Sequence, residues 1–566
     1  MRSVICVLAV ALVLAALAGA ADRPEGRADA TRSVVYAPNG MVAAAHPLAV
    51  QIGIDVLQEG GTAVDAAIAV NAALAVMEPT SCGLGGDLFA LVWDPESGAV
   101  AGYNGSGRAP AALDPEDVPP EPDGTIPLYS PHAWTVPGAA DGWFALHERF
   151  GRLPMAELLA PAADAARDGV PVPQVIAGSW ARAAEVFAEM PGFADVFLVD
   201  GRAPREGEPF ANPALARTLD TLARGGRDAF YRGPIADAIV RFSAEYGGFF
   251  TSADLAAHRG EWVEPISTVY RDVTVWELPP NGQGLAALQM LNILERFDLA
   301  ALGRDSADLW HLLIEAKKLA FADRARYYAD PAMADVPVAE LLSKEYARSR
   351  AQLIRMDEAL ELDPPGNPYL EEGDTTFLVA ADADGMLVSL IQSNYTGFGS
   401  GYVVPELGFG IQNRGALFSL SPGHPNVLEP GKRPFHTIIP ALLCDGDTPG
   451  MAFGVMGGSM QPQGHVQVVV NLVDFGMNLQ EAGDAPRFRH LDSSQPTGTD
   501  MVDGGFVALE SGVPLEVRRE LARRGHELLD PAGLSFGGYQ AVRRDRHTGV
   551  LAGATESRKD GAAMGY

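Results

Sequence analysis

Cysteine is scarce in this chain: there are three in 566 residues, and Cys6 lies in the leading apolar run, which leaves Cys82 and Cys444. At most one disulfide can join that pair, and no cysteine cluster has metal-site spacing. Lysine is also rare, with five residues among 42 basic ones against 72 acidic, for a formal net charge of -30. Such a surface repels phosphate backbones and anionic headgroups, which argues against nucleic acid and lipid surfaces as partners. Beyond the first twenty residues no apolar run is long enough to span a bilayer. Internal repeats and low-complexity blocks are missing. So are a Gly-x-Ser-x-Gly elbow and a His-Glu-x-x-His pair. Pro430-Gly431-Lys432-Arg433 lacks phosphate-loop spacing, and Pro279-Pro280-Asn281 interrupts the tight junction that would make Gly282-Gln-Gly284 a dinucleotide turn. No cofactor and no metal is expected.

What is present is a globular composition, 47% hydrophobic and 20% charged. At the start, Arg2 precedes an apolar run from Val4 to Leu17 and then Ala18-Gly19-Ala20, the pattern of a secretory signal peptide over residues 1–20. A retained membrane anchor is the other reading. Export to the periplasm or the extracellular space is the expectation, with a short polar arm from Ala21 to Arg32.

Residues 34–104 alternate strand-like runs with an Ala-rich helical stretch. There Gly60-Gly61 ends one helix before another begins, and Asp65 is expected to be a buried structural partner. From Pro154 to Arg355 the chain reads as largely helical. Glu315, Lys317, Lys318, Asp323 and Arg324 on the stretch Leu309 to Tyr328 are expected to form solvated or helix-bridging pairs. Pro364-Pro365-Gly366-Asn367-Pro368 breaks any helix, and Tyr369 to Asp374 reads as an exposed, cleavable connection. Two strands follow, Thr375 to Ala381 and Met386 to Ile391, around a turn at Asp384-Gly385.

That connection matters because Gly373-Asp374-Thr375-Thr376 can create a new N-terminus. A Thr opening a strand after a turn-prone pair can attack the preceding carbonyl, convert amide to ester and let water cut the chain. Thr375 then carries a hydroxyl and a free amine, and the amine is a general base fixed beside the nucleophile. Taken alone, two Thr residues opening a strand are ordinary β-propensity.

The rest of the chain decides the matter. In order come Met41-Val-Ala-Ala-Ala-His46-Pro47, Gly60-Gly-Thr-Ala-Val-Asp65-Ala-Ala67, Glu78-Pro-Thr-Ser-Cys-Gly-Leu-Gly-Gly86, Val136-Pro-Gly138 and Phe230-Tyr-Arg-Gly233. Then follow Thr375-Thr376, Phe398-Gly-Ser-Gly401, Arg433-Pro434, Met456-Gly-Gly-Ser459, Asp484-Ala-Pro-Arg-Phe488 and Asp560-Gly-Ala-Ala-Met-Gly-Tyr566. This series resembles the γ-glutamyltransferase family of N-terminal nucleophile hydrolases from about Ser33 onward. The resemblance implies an α+β fold, a four-layer αββα sandwich built from two fragments of one precursor. The large fragment would run over 21–374 and the small catalytic one over 375–566, cut between Asp374 and Thr375 and held as a heterodimer. It further implies Thr375 as nucleophile, Gly457 and Gly458 as the oxyanion hole, and Ser393 as the hydroxyl that supports the nucleophile.

Departures from the family pattern cluster on one task, reading the amino acid end of a glutamyl group. Ser106 stands where the family holds an Arg for the α-carboxylate, and the nearest Arg is Arg108. Tyr395 replaces a substrate-contacting Asn. Arg414 and Leu417 stand where a Gln and an ammonium-binding acid are usual, and His436-Thr437 replaces a pair of Ser. Only fourteen residues separate Phe418 from Arg433, where many members carry a longer lid, so an open pocket that favours water as acceptor is expected. The implied substrates are γ-glutamyl amides such as glutathione. An acylase for dicarboxylic acyl amides, including glutaryl and β-lactam side chains, is the alternative, with Arg108 and Arg414 gripping the distal carboxylate. A third reading, from another class, is an unprocessed, non-catalytic binding module.

Overall fold

The computed structural model of the uncut chain describes residues 30–361, 374–446, 448–499, 501 and 503–566. The proposed signal peptide and most of the cleavable connection lie outside the described residues.

Two seven-stranded antiparallel sheets stack face to face. The first runs Ala562–Gly565, Met41–Ala44, Asp374–Ala381, Leu387–Tyr395, Asp87–Asp94, Ala99–Asn104, Glu261–Val263. The second runs Val35–Ala37, Leu551–Thr555, Gly538–Arg544, Thr448–Met456, Ala441–Asp445, Val273–Glu277, Ile266–Tyr270. Residues before and after Thr375 contribute to both sheets, so neither part closes a sheet alone.

Period-two alternation assigns the layers. On the strand Asp374–Ala381, Phe377, Val379 and Ala381 join the cluster between the sheets, with Met41, Leu91, Leu442, Ala452 and Val542. Leu378 and Ala380 point the other way, into the core shared with helices Pro47–Gln58, Ala63–Met77, Met155–Asp168 and Pro213–Tyr231. The second sheet sends Val275, Leu443, Phe453 and Val455 outward to helices Gly284–Leu294, Ala307–Tyr327 and Met460–Val473. The order helix, sheet, sheet, helix is the expected αββα sandwich.

Local chemistry explains the helix that backs the first sheet. Ala63–Met77 is buried at every position. Thr62 caps it with a reciprocal hydrogen-bond pair to Asp65. The Asp65 carboxylate also accepts the Arg152 and Leu153 amides, which makes it the structural partner expected.

Several expectations need correction. The stretch 154–355 is not helical throughout: Glu261–Val263, Ile266–Tyr270 and Val273–Glu277 are strands, one in the first sheet and two in the second. The nucleophile strand begins at Asp374, not Thr375, and its partner runs on to Tyr395 instead of stopping at Ile391. The charges on Ala307–Tyr327 are buried rather than solvated. Lys318 pairs with Glu315 one turn away on the same helix at 2.9 Å, whereas Asp323 with Arg350 at 3.2 Å and Lys317 with His490 and Ser493 bridge to other elements. Cys82 and Cys444 are both buried, Cys82 donating to the Glu78 carbonyl and Cys444 accepting from Trp276 Nε1. Among the described residues no helix is long and apolar enough to cross a membrane.

The sheets approach closely where Gly454 faces Phe377. A Cβ on Gly454 would lie 2.6 Å from the Phe377 ring. Gly454→Ala should therefore force the ring aside and cost about 1–3 kcal/mol. Gly450→Ala on the same strand, whose Cβ would first meet a backbone oxygen at 3.6 Å, should stay within about 0.5 kcal/mol of the parent. Denaturant unfolding checks both, and equal effects would refute the close sheet contact.

Candidate active site

Thr375 is the second residue of a strand paired on both sides, and it is wholly buried. Its register is irregular: Asp374 pairs with Tyr395 while Thr376 pairs with Gln392. Two steps on one strand match three on the other, so Thr375 faces the pair Ser393-Asn394 across a bulge. Bulges of this kind re-aim side chains beside functional sites. Tyr395 closes the bulge at φ +82°, and its amide donates to Ser393 Oγ at 2.8 Å. By strand alternation Thr375 shares the inter-sheet side with Phe377. Thr376 turns to the helical side, where its hydroxyl donates to Glu78 Oε2 at 2.7 Å.

Gly457 and Gly458 join the end of strand Thr448–Met456 to helix Met460–Val473. Their φ angles are +116° and +57°, a region that residues with a Cβ rarely adopt. Their carbonyls accept the amides of Met460 and Gln461 at 3.0 and 3.1 Å, starting the helix. A helix start concentrates positive potential. From its first turn Gln461 reaches Thr375, donating to Oγ1 at 3.5 Å, while its own oxygen accepts the Ile439 amide. Gln461 therefore ties the glycine turn to the threonine.

A second cluster adjoins this one. Arg414 starts a short 3-10 turn, fully buried, with its guanidinium 4.6 Å from the Tyr395 ring centroid. Nη1 donates to Thr437 Oγ1 at 2.7 Å, whereas Nε and Nη2 have no hydrogen-bond partner among the described residues. Burial lowers its pKa to about 10, against the field of Asp87 and Tyr395. Asp87 pairs in register with Ser393. Its carboxylate accepts from Gln412 Nε2 at 2.9 Å, the Gly138 amide at 3.1 Å and His436 Nε2 at 3.1 Å. One amide nitrogen links the two clusters: Gln283 Nε2 donates to Thr437 O at 2.6 Å and to Gly458 O at 3.0 Å. Arg324 in turn holds Gln283 Oε1 at 2.7 Å.

Thr375, Ser393, Tyr395, Arg414, Thr437, Gly457 and Gly458 are thus joined by short contacts. Two residues expected to touch a ligand are engaged elsewhere. Arg108 is drawn to Glu261 at 3.0 Å, Asp330 at 3.3 Å and the Gly431 carbonyl at 3.1 Å. Glu261, shared with Arg433 at 2.8 Å, and Asp330 together balance the two guanidinium charges, which holds Arg108 away from a second clamp with Arg414. His436 spends Nε2 on Asp87 and accepts the Ile438 amide on Nδ1. Burial, with Arg414 beside it, pushes its pKa down to about 3, and the ring is neutral. It holds Asp87 in place and does not face a ligand.

Leu417 sits in an apolar cluster with Ala416, Phe418 and Phe435. An open pocket is not what the uncut chain presents, since Thr375, Tyr395, Arg414 and Thr437 are all buried. The short connection from Phe418 to Arg433 folds back on itself around Asn426, which donates to Leu417 O and Pro496 O.

Sequence reasoning missed Asp87, Gln283 and Gln461. Asp87 carried a signal, an acid opening a strand whose next residues, Leu88 to Trp93, are all apolar. The two glutamines carried none, and Gln283 lies in the segment set aside as an imitation nucleotide turn.

Comparison with known proteins agrees with this geometry. The family model described as gamma-glutamyltranspeptidase matches residues 49–566. The glutathione hydrolase-like YwrD proenzyme of Bacillus subtilis is 39% identical over 93% of this chain and 98% of its own length. The oxamate amidohydrolase proenzyme of Klebsiella pneumoniae is also 39% identical, with the same two coverages. Among solved structures, the cephalosporin acylase from Bacillus halodurans superposes with a TM-score of 0.86 at 45% identity, over 96% of this chain and 99% of that one. Fold, site and sequence together make this chain a member of the γ-glutamyltranspeptidase family, within the N-terminal nucleophile hydrolases.

Proposed function

We propose that this chain is a self-processing amidohydrolase that cleaves γ-glutamyl amides, glutathione among them, through a threonyl acyl-enzyme. It passes the acyl group mainly to water and also to amino acid or peptide acceptors. The carrying observation is the placement of Thr375 opposite the Ser393-Asn394 bulge, with Gln461 joining its hydroxyl to the Gly457-Gly458 helix start.

In maturation, Thr375 Oγ bonds to the Asp374 carbonyl carbon as the Asp374–Thr375 C–N bond breaks, and the departing amine takes the hydroxyl proton. Water then cleaves the ester, leaving Asp374 as a carboxylate and Thr375 with free hydroxyl and amine. In turnover, that amine takes the Oγ proton while Oγ attacks the substrate carbonyl. The Gly457 and Gly458 amides face the oxyanion in a low-dielectric site, where such donors are worth most. The C–N bond breaks, the leaving amine receives the proton, and water hydrolyses the ester with the same amine as base. Ser393 supports the hydroxyl.

The large fragment 21–374 and small fragment 375–566 remain a heterodimer because their strands interleave. Names that print "proenzyme" for two relatives support that reading, and their hydrolase names support water as acceptor. Export through residues 1–20 rests on the leader's composition alone.

A second reading, an acylase for dicarboxylic acyl amides such as glutaryl or β-lactam side chains, is favoured by Leu417. It is apolar and packed where an ammonium-binding acid would be required. The 45%-identical cephalosporin acylase points the same way.

Thr375→Ala should give an uncut chain and lower kcat at least about 10³-fold, while Thr375→Ser should keep slow cleavage and measurable turnover; intact mass and anilide hydrolysis check both. An alanine variant that turns over like the parent would mean another nucleophile, and a parent that is itself uncut and inactive would return the binding-module reading. With the amine as base, kcat/KM should rise with pH through a single limb at about 7 to 8, the ordinary range of an α-amine. Because His436 stays neutral down to about 3, that limb should persist in His436→Asn. Its disappearance there would make the histidine the base.

A further inference from the structure

We infer that Arg414 is the acyl-side anion receptor of this enzyme, and that the acyl group it favours carries a carboxylate with no ammonium beside it. The inference rests on Thr375 as nucleophile and deepens the acylase reading, with γ-glutamyl amides cleaved as the poorer substrates.

A buried guanidinium is costly unless its charge and donors are met. Here Nη1 is satisfied by Thr437, but Nε and Nη2 are buried and bond to nothing among the described residues. Asp87 acts on Arg414 through space, since its oxygens are held by Gln412, Gly138 and His436. Two free donors on one planar fork match the two oxygens of a carboxylate.

The surroundings fit an anion and reject a cation. Tyr395 supplies a ring under the guanidinium, Leu417 is apolar, and His436 is neutral and occupied. Arg108, the other basic candidate, is already balanced by Glu261 and Asp330. An ammonium brought to Arg414 would face a like charge in a dry site, where repulsion is poorly screened.

The position also tells which half of the substrate is held. Tyr395 donates to Ser393 in the bulge opposite Thr375, and Thr437 shares the Gln283 amide with Gly458. The receptor is therefore tied to both the nucleophile's neighbour and the glycine turn, and it is enclosed. An enclosed receptor suits the group that stays on Thr375 as an ester, because the leaving amine must escape and water must enter.

Four anilides differing only in the acyl group test this: glutaryl, γ-glutamyl, butyryl and 4-aminobutyryl. The first two share the carboxylate, and only the second and fourth carry an amine. Purified mature protein should show kcat/KM for glutaryl at least ten-fold above both γ-glutamyl and butyryl, with 4-aminobutyryl poorest. Arg414→Gln should lower the glutaryl-to-butyryl ratio ten- to hundred-fold, the usual effect of removing a charged hydrogen-bond pair, with Arg414→Lys in between. Butyryl equal to glutaryl in the parent enzyme would overturn the inference without needing any variant. An unchanged ratio in Arg414→Gln would overturn it as well, leaving a structural arginine. Sequencing the small fragment separates the two failures: a chain cut at Thr375 without preference sinks only the receptor, and an uncut, inactive chain sinks the nucleophile and the receptor with it.

Discussion

The structure depends on the pairing of one strand, Asp374–Ala381, between Met41–Ala44 on one side and Leu387–Tyr395 on the other. That strand carries Thr375, and its alternate faces belong to two different cores. Because side-chain period is two, a one-residue slip would swap Phe377 and Leu378 between the inter-sheet and helical layers and bury the wrong hydroxyl. Gly454 makes room for the Phe377 ring, and the bulge at Ser393-Asn394 absorbs the one residue that would otherwise continue a regular ladder past Thr375. Thr375, the proposed nucleophile, is placed by sheet register, and the sheet is placed by packing on both faces.

Around that strand the polar groups divide into positioning and reception. Gln461, Gln283, Arg324 and Asp87 bond chiefly to protein groups and hold loops that would otherwise present unpaired backbone atoms. His436 belongs with them. Arg414 differs from them in being a fully buried cation with two donors, Nε and Nη2, left over among the described residues. Bonded neighbours make the site rigid, and those two donors are what the proposed preference rests on.

Much of this was legible in the chain. The turn-prone Gly373-Asp374 before Thr375-Thr376 marked the strand and pointed to Thr375 as the proposed nucleophile, and the ordered glycine motifs carried the family and with it the αββα sandwich. The helix cap at Thr62 and the role of Asp65 followed from local chemistry. What misled was context. The charges on Ala307–Tyr327 recur at helical spacing, like a solvated face, but strand Phe488–Leu491 and helix Leu515–Arg523 cover that face and turn those charges inward. Strands Glu261–Val263 and Ile266–Tyr270 are short and lie in a stretch flanked by helices, so periodicity over a longer window hid them. Arg108 looked available because sequence cannot show that Glu261, far along the chain, reaches it. The glutamines at 283 and 461 act through hydrogen bonds to residues far along the chain, for which no local pattern exists.

The central claim is that sheet register presents Thr375 for self-cleavage and leaves it as an N-terminal nucleophile. Intact mass and N-terminal sequencing of freshly purified protein test this most directly. The account predicts two fragments, the smaller of 192 residues and beginning Thr-Thr-Phe-Leu-Val. A single uncut chain, or a cut at any other bond, would contradict it.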